Sequence, residues 1–202
     1  KKINLKSPSV IDVGCGNGDF LRYLKQRSKD IHFTGIDYKK NLSEGRISFL
    51  SGDFFNTEFK EKFDVVISLG VIEHIWDVKA YVLRLSQLCK KDGLIVVMTP
   101  NSASLLFAFA RYIYYFGMKS PMEGLYDKHH LNHFSKNSLE YLFKNCSLKI
   151  VENHLTQFKV SSISIPKCPL LIKAIYKLGL IILYLLEKFF WGKNKQTLMA
   201  KN

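Results

Sequence analysis

The sequence predicts a doubly wound α/β fold on seven strands, most of them parallel, and three observations predict it. Over the first hundred residues, strand-like apolar runs alternate with helix-like patterns, the order that winds a parallel sheet through right-handed crossovers. Several strand runs are almost wholly apolar, as strands covered on both faces are. The chain has 202 residues, 47% of them hydrophobic and 23% charged. That composition supplies a sizeable core and excludes global disorder.

The elements follow in order. Residues 9–13 form a short apolar run stopped by glycines, and 17–28 read as a helix with Phe20, Leu21 and Leu24 on one side. Residues 31–36, 46–50 and 63–68 read as the next three strands. Residues 76–90 are an amphipathic helix, with Val78, Val82, Leu85 and Leu88 near helical spacing. Residues 94–99 give a fifth strand. The second half is less regular. Residues 101–116 are crowded with aromatics, and a loop with Gly117, Pro121 and Gly124 follows. Residues 135–145 read as a helix with Ser135 as N-cap, 147–154 as a strand and 195–200 as the last strand. We therefore expect one domain over 1–202, with a ligand-binding half (1–100), a second half (101–202) and an apolar helical insertion (155–194) before the last strand.

Charge and cysteine usage narrow the setting. The formal net charge is +13. This points to an anionic partner such as a membrane surface, nucleic acid or a phosphorylated substrate, unless it reflects a bias in base composition. Cys15, Cys89, Cys146 and Cys168 are widely spaced with no CxxC pair, so neither a disulfide framework nor a cysteine zinc site is expected. With no secretory pattern in view, a reduced, cytoplasmic setting is expected, with membrane association kept open. The chain begins at Lys1 rather than Met, as a piece of a longer protein does.

The chemistry sits in residues 10–20, VIDVGCGNGDF. A strand ends at Val13, and Gly14, Gly16 and Gly18 turn the chain tightly into a helix, letting backbone approach a ligand with no Cβ between. The dinucleotide fingerprint GxGxxG fails, because its third glycine would fall at Asp19. Asp12 instead precedes the first glycine by two residues. A second acid, Asp37, ends the second strand in FTGIDYK. In a doubly wound sheet both acids lie at carboxyl ends of neighbouring strands, beside the crevice where ligands bind. A carboxylate there can accept both hydroxyls of a ribose. Asp53, in SGDFF, ends the third strand, where it can accept from an adenine amino group while Phe54 packs on the ring. The fourth strand leads into SLGVIEHIWD.

This set resembles the class I S-adenosylmethionine-dependent methyltransferases, a Rossmann-like family. The glycine run, the acid after strand two, Asp53, the EH after strand four and GLIVVMTPN match in order over roughly the first hundred residues. The resemblance implies S-adenosyl-L-methionine as cofactor. It also implies that Gly14, Gly16 and Asp12 face the methionine part, Asp37 the ribose, Asp53 and Phe54 the adenine, and Leu69 and Gly70 the sulfonium. One departure is clear. Only eight residues, 38–45, separate Asp37 from the third strand, so the usual helix there must be a turn or loop, leaving the adenine side more open. The family's upstream helix over the cofactor has no match in this sequence.

Methyl transfer to a hydroxyl also needs a base, and histidine is the usual choice. His74 stands at the mouth of strand four. The run DKHHLNHFS resembles the segment before the sixth-strand helix in ubiquinone-type small-molecule O-methyltransferases. His130 and His133 are the preferred base candidates, then His74, with His129 behind them; each can alternatively cap or shape a neighbouring helix. No metal is expected: His129 and His133 are i, i+4, but the segment reads as a loop and shows no clear third ligand. Nucleic acid is disfavoured as acceptor, because SLGVIEH replaces the D/N-P-P-Y/F run of amino-methylating nucleic-acid enzymes.

Two apolar stretches remain. Residues 103–116 carry six aromatics around Arg111 and suit a substrate lid, core packing or a homodimer contact. In residues 170–191, Lys173, Lys177, Tyr184, Glu187 and Lys188 form one polar stripe on a helical wheel. The longest uncharged stretch there, nine residues, is too short to span a bilayer. An in-plane membrane helix with snorkelling lysines fits, as does a helix buried against the sheet or a dimer partner. The expected reaction is methyl transfer to an oxygen of a small, apolar or lipid-linked acceptor, such as a quinone precursor or a glycan. N-methylation of an amino sugar or small amine is the second reading. A non-catalytic membrane-surface or interaction module with a relic cofactor fold is the third.

Overall fold

The computed structural model describes residues 7–28, 30–40, 43–116, 128–157, 177–179, 181–182, 184–186 and 193–202. Seven strands form one sheet in the order β3-β2-β1-β4-β5-β7-β6. The strands are β1 (Ser9–Val13), β2 (His32–Asp37), β3 (Ile47–Ser51), β4 (Phe63–Leu69), β5 (Cys89–Pro100), β6 (Lys149–Thr156) and β7 (Lys195–Lys201). The first five run parallel, whereas β7 pairs antiparallel with both β5 and β6. The expected doubly wound, mostly parallel sheet is therefore observed, and its order reverses at β1, between β2 and β4.

The apolar strands are apolar because helices cover both faces. On one face, Ile11, Val13, Val66, Ile95 and Val97 pack with Tyr81, Val82 and Leu85 of α2 (Val78–Leu88) and with Leu139 and Phe143 of α4 (Lys136–Asn145). On the other, Val10, Phe33, Ile47 and Ile67 pack with Leu21 of α1 (Asp19–Arg27). Consecutive strand residues such as Val10 and Ile11 thus serve opposite cores, the period-two rule of a strand. Ser135 caps α4 as expected, accepting from the Ser138 N–H while the Ser138 hydroxyl receives the Ser135 N–H.

Several boundaries moved by one or two residues, β6 to Lys149–Thr156 among them, and the largest shift lies between the second helix and β5. The second helix is shorter than residues 76–90, and β5 starts at Cys89 rather than 94, because Cys89 pairs with Phe63 before the strand kinks through Asp92 at φ 61°. Between Asp37 and β3 the described residues form bends and a turn closed by a Glu44–Ile47 bridge, in keeping with the short spacer.

The aromatic stretch forms helix α3 (Leu105–Tyr115). Leu106, Phe107 and Ala110 are buried, while Phe109, Tyr112, Tyr114 and Tyr115 stand exposed with the adjoining Phe116. Residues 177–179, 181–182 and 184–186 are helical. Their Leu178, Ile181, Ile182, Leu185 and Leu186 are 41–59% exposed, which corrects, for these residues, the alternative of burial against the sheet. The rest of 170–191 and the loop with Gly117, Pro121 and Gly124 lie outside the described residues. Among the described residues, no helix is long and apolar enough to cross a membrane.

Candidate cofactor and acceptor site

Parallel register brings the two acids together. Asp12 pairs with Gly35 and Val13 with Ile36, so Asp37 stands one residue beyond the tip of β1. The chain leaves β1 through Gly14, Gly16 and Gly18, all with positive φ, and the Gly14 N–H donates to the Ile36 carbonyl (2.8 Å). The Gly16 N–H donates to Asp37 Oδ2 (2.8 Å) and the Lys39 N–H to Oδ1 (2.9 Å). The glycine turn and the second-strand acid therefore form one hydrogen-bonded unit.

A cavity of about 260 Å³ opens at these strand tips. It is lined by Gly14, Asp37, Asp53, Phe54, Gly70 and His74 among the expected residues. Asp12, Gly16, Leu69, His130 and His133 do not line it, although Asp12 couples electrostatically to the lining residues Asp37 and Tyr81. Lining residues that sequence reasoning missed include Tyr38, Phe55, Val71 and Tyr81. Tyr38 follows the strand-end acid, a signal that was available. Tyr81 carried none, since it is placed by the α2 core face and by a 2.8 Å hydrogen bond between its hydroxyl and that of Ser68.

Asp53 holds its own turn as well as lining the cavity. Its carboxylate accepts from the Phe55 N–H (2.9 Å) and the Asn56 side chain (2.7 Å). Partial desolvation, then a hydrogen bond to Asp53, raises the Tyr38 phenol above its ordinary pKa. Phe54 is buried and meets Tyr81 edge-on at 5.4 Å.

Asp12 is 3% exposed, and its Oδ1 is buried without a hydrogen-bond partner among the described residues. Burial, then repulsion from Asp37, pushes its carboxyl up to about 7. Among the described residues neither acid makes an ion pair. Two adjacent carboxyls, one with an unmatched oxygen, suit a ligand bearing positive charge, as a sulfonium with an α-ammonium group does. The residues present thus fit S-adenosylmethionine.

A pH dependence follows. Because the folded-state pKa of Asp12 lies above that of an ordinary carboxyl, the folded protein holds a proton that the unfolded chain releases. Asp12 then makes folding stability fall as pH rises from about 4 to about 7. A cationic ligand lowers that pKa again. At pH 6, S-adenosylmethionine binding is expected to release close to one proton, seen by calorimetry in buffers of different ionisation enthalpy. Asp12→Asn is expected to abolish the release; release that persists in the variant would assign the proton elsewhere.

The other side of the candidate site is built on the turn after β4. Residues Ile72–His74 form a single 3-10 turn. The carbonyl of Glu73 accepts the N–H groups of Leu131 (2.8 Å) and Asn132 (3.0 Å), and the Asn132 side chain donates to the Ile75 carbonyl (2.6 Å). These bonds seat the histidine run against the pocket mouth. His74 and His130 rings meet edge to face at 4.7 Å, and His130 lies 6.3 Å from His133. Desolvation, then His130, lowers the His133 pKa. His129 contributes its carbonyl, 2.9 Å from His74 Nδ1.

A doubly wound sheet with a glycine turn, acids on neighbouring strands and a cleft at the strand tips is the architecture of a nucleoside-binding fold. A family model described as a methyltransferase domain matches residues 1–153, and the chain belongs to that family. It is a class I S-adenosylmethionine-dependent methyltransferase domain, as the motifs led us to expect. A ubiquinone biosynthesis O-methyltransferase of Rickettsia typhi is 31% identical over 110 residues, 50% of this chain and 44% of that protein. A probable (S)-tetrahydroprotoberberine N-methyltransferase of Papaver bracteatum is 26% identical over 100 residues, 44% of this chain and 28% of that protein. The chain spans less than half the length of either relative. The crystal structure of a SAM-dependent methyltransferase from Archaeoglobus fulgidus superposes with a TM-score of 0.61 at 17% identity, covering 97% of this chain and 86% of that one, which shows the shared fold.

Proposed function

We propose that this chain transfers a methyl group from S-adenosylmethionine to an oxygen of a small, apolar or lipid-linked acceptor. The observation that carries this reading is the position of His74, which lines the cavity together with Asp37 and Asp53 and meets His130 edge to face. When bound, the cofactor supplies an electrophilic methyl on a sulfonium. The chain's own residues align it and exclude water. Asp37 receives the ribose hydroxyls, Phe54 and Asp53 flank the adenine, and Asp12 with the Gly14 turn faces the methionine part. The imidazoles at the mouth handle the acceptor's hydroxyl proton, and an oxygen nucleophile is what requires them. The exposed aromatic side of α3, with Phe109, Tyr112, Tyr115 and Phe116, supports an apolar or membrane-borne acceptor.

The similarity to a protein named as an N-methyltransferase favours a second reading, transfer to an amine, in which the histidines orient rather than deprotonate. Labelled S-adenosylmethionine offered with quinols, phenols, sugars and amines separates the two. We expect label on oxygen, and at least a hundredfold slower transfer by His74→Ala. Label on nitrogen alone would overturn the oxygen reading.

A further inference from the structure

We propose that Glu73, His74 and His130 bind a divalent transition-metal ion at the mouth of the cofactor cavity, through one carboxylate oxygen and two imidazole nitrogens. One ligand atom from each lies within 4.8 Å of the other two. A tetrahedral ion with bonds of about 2.0–2.1 Å spaces its donors about 3.3–3.4 Å apart, so closure needs shifts of about 1.5 Å at most. The exposed His74 side chain has room for such a shift.

Two features point to an ion independently of this proximity. The first is the tautomer of His74. Its Nδ1 faces the His129 carbonyl at 2.9 Å, and a carbonyl only accepts. Nδ1 therefore carries the hydrogen, and Nε2 is left with the lone pair, the arrangement in which ligand imidazoles are held by their outer partners. The second is Glu73. It is 4% exposed, and among the described residues no Lys or Arg pairs with it. Its Oε2 accepts from the Thr99 hydroxyl at 2.9 Å. A carboxylate buried beside two imidazoles, with no cation of its own, is costly unless a positive charge joins it. The Glu73 carbonyl also holds the N–H groups of Leu131 and Asn132, so the residue that offers the carboxylate anchors the segment that offers His130.

Two histidines and one glutamate form a borderline donor set that suits zinc and its neighbours in the first transition row, with coordination positions left for an incoming oxygen. The sequence showed no such site, because it offered His129 with His133 and no third ligand; the fold selects different partners. The ion's catalytic consequence rests on the oxygen reading above. With the ion bound, His74 and His130 serve as its ligands rather than as bases: a hydroxyl bound to the ion would be acidified and give up its proton to water. The oxygen then forms a bond to the methyl carbon as the carbon–sulfur bond breaks, and that electron pair leaves on sulfur as a neutral thioether.

The test needs no acceptor. The full chain, stripped with a chelator, is dialysed against Zn²⁺ or Co²⁺, and bound metal and the cobalt d–d absorption are measured. We expect one equivalent of metal. Affinity is expected to fall about a hundredfold or more in His74→Ala, His130→Ala and Glu73→Gln, and about tenfold in Thr99→Val. His154→Ala, on β6, is expected to leave it unchanged. Calorimetry with S-adenosylmethionine shows that each variant is folded; should Glu73→Gln fail there, the two histidine variants decide. Binding below half an equivalent, or binding unmoved by either histidine variant, overturns the site and leaves the oxygen reading intact. Metal bound as expected, with label found only on nitrogen, supports the site and overturns the oxygen reading.

Discussion

Asp37→Ala is expected to weaken S-adenosylmethionine binding by about two to four orders of magnitude. The carboxylate ends β2 at the cavity wall, where the family's ribose contact falls. Two hydrogen bonds to an ionised acceptor are worth about 1.5–3 kcal/mol each, which converts to that loss. The change also releases the glycine turn. Asp37 Oδ2 holds the Gly16 N–H and Oδ1 the Lys39 N–H, so alanine removes the partner of two backbone donors at once. Asp37→Asn retains an acceptor of the same shape and is expected to lose less. Calorimetric titration with cofactor measures both. A loss below about tenfold in the alanine variant would take the ribose role away from this residue.

Gly14→Ala is expected to destabilise the fold by about 2–5 kcal/mol and to spoil the cavity as well. Gly14 sits at φ 75°, where a Cβ costs about 1–2 kcal/mol. A Cβ built there would stand 2.4 Å from Val71 Cγ2, so Val71 must move, and Val71 lines the cavity. Overpacking of that kind adds about 1–3 kcal/mol. Urea unfolding of Gly14→Ala, Val71→Ala and the pair resolves the two contributions. The double variant is expected to recover the collision part and keep the backbone part. An unchanged loss in the double variant would mean that backbone strain alone is responsible.

The sheet was legible because most of its strands carry short apolar runs that serve both faces and are bounded by turns. Runs such as Val10-Ile11 and Val65-Val66-Ile67 are apolar on consecutive residues, as a short strand buried on both faces is. The start of β5 was not legible, because Cys89 joins the sheet through its pairing with Phe63 while local sequence still reads as helix. The site divides in the same way. Gly14, Asp37 and Asp53 were readable because each sits at a strand end, where chain order fixes position. Glu73 was passed over as half of an EH pair. Its burial and its link to Thr99 depend on β5 lying beside β4, a neighbour relation that no local pattern records. The exposed apolar side chains between residues 177 and 186 were legible as apolar but not as exposed, since periodicity is blind to what covers a face.

The backbone bonds from Leu131 and Asn132 to Glu73 carry a kinetic implication. The turn that lines the cavity and the histidine segment are fastened together, so whatever settles the first against a ligand also sets the angle at which the second is presented. On the proposed reading, such a fastening would couple the seating of the cofactor to the presentation of the acceptor.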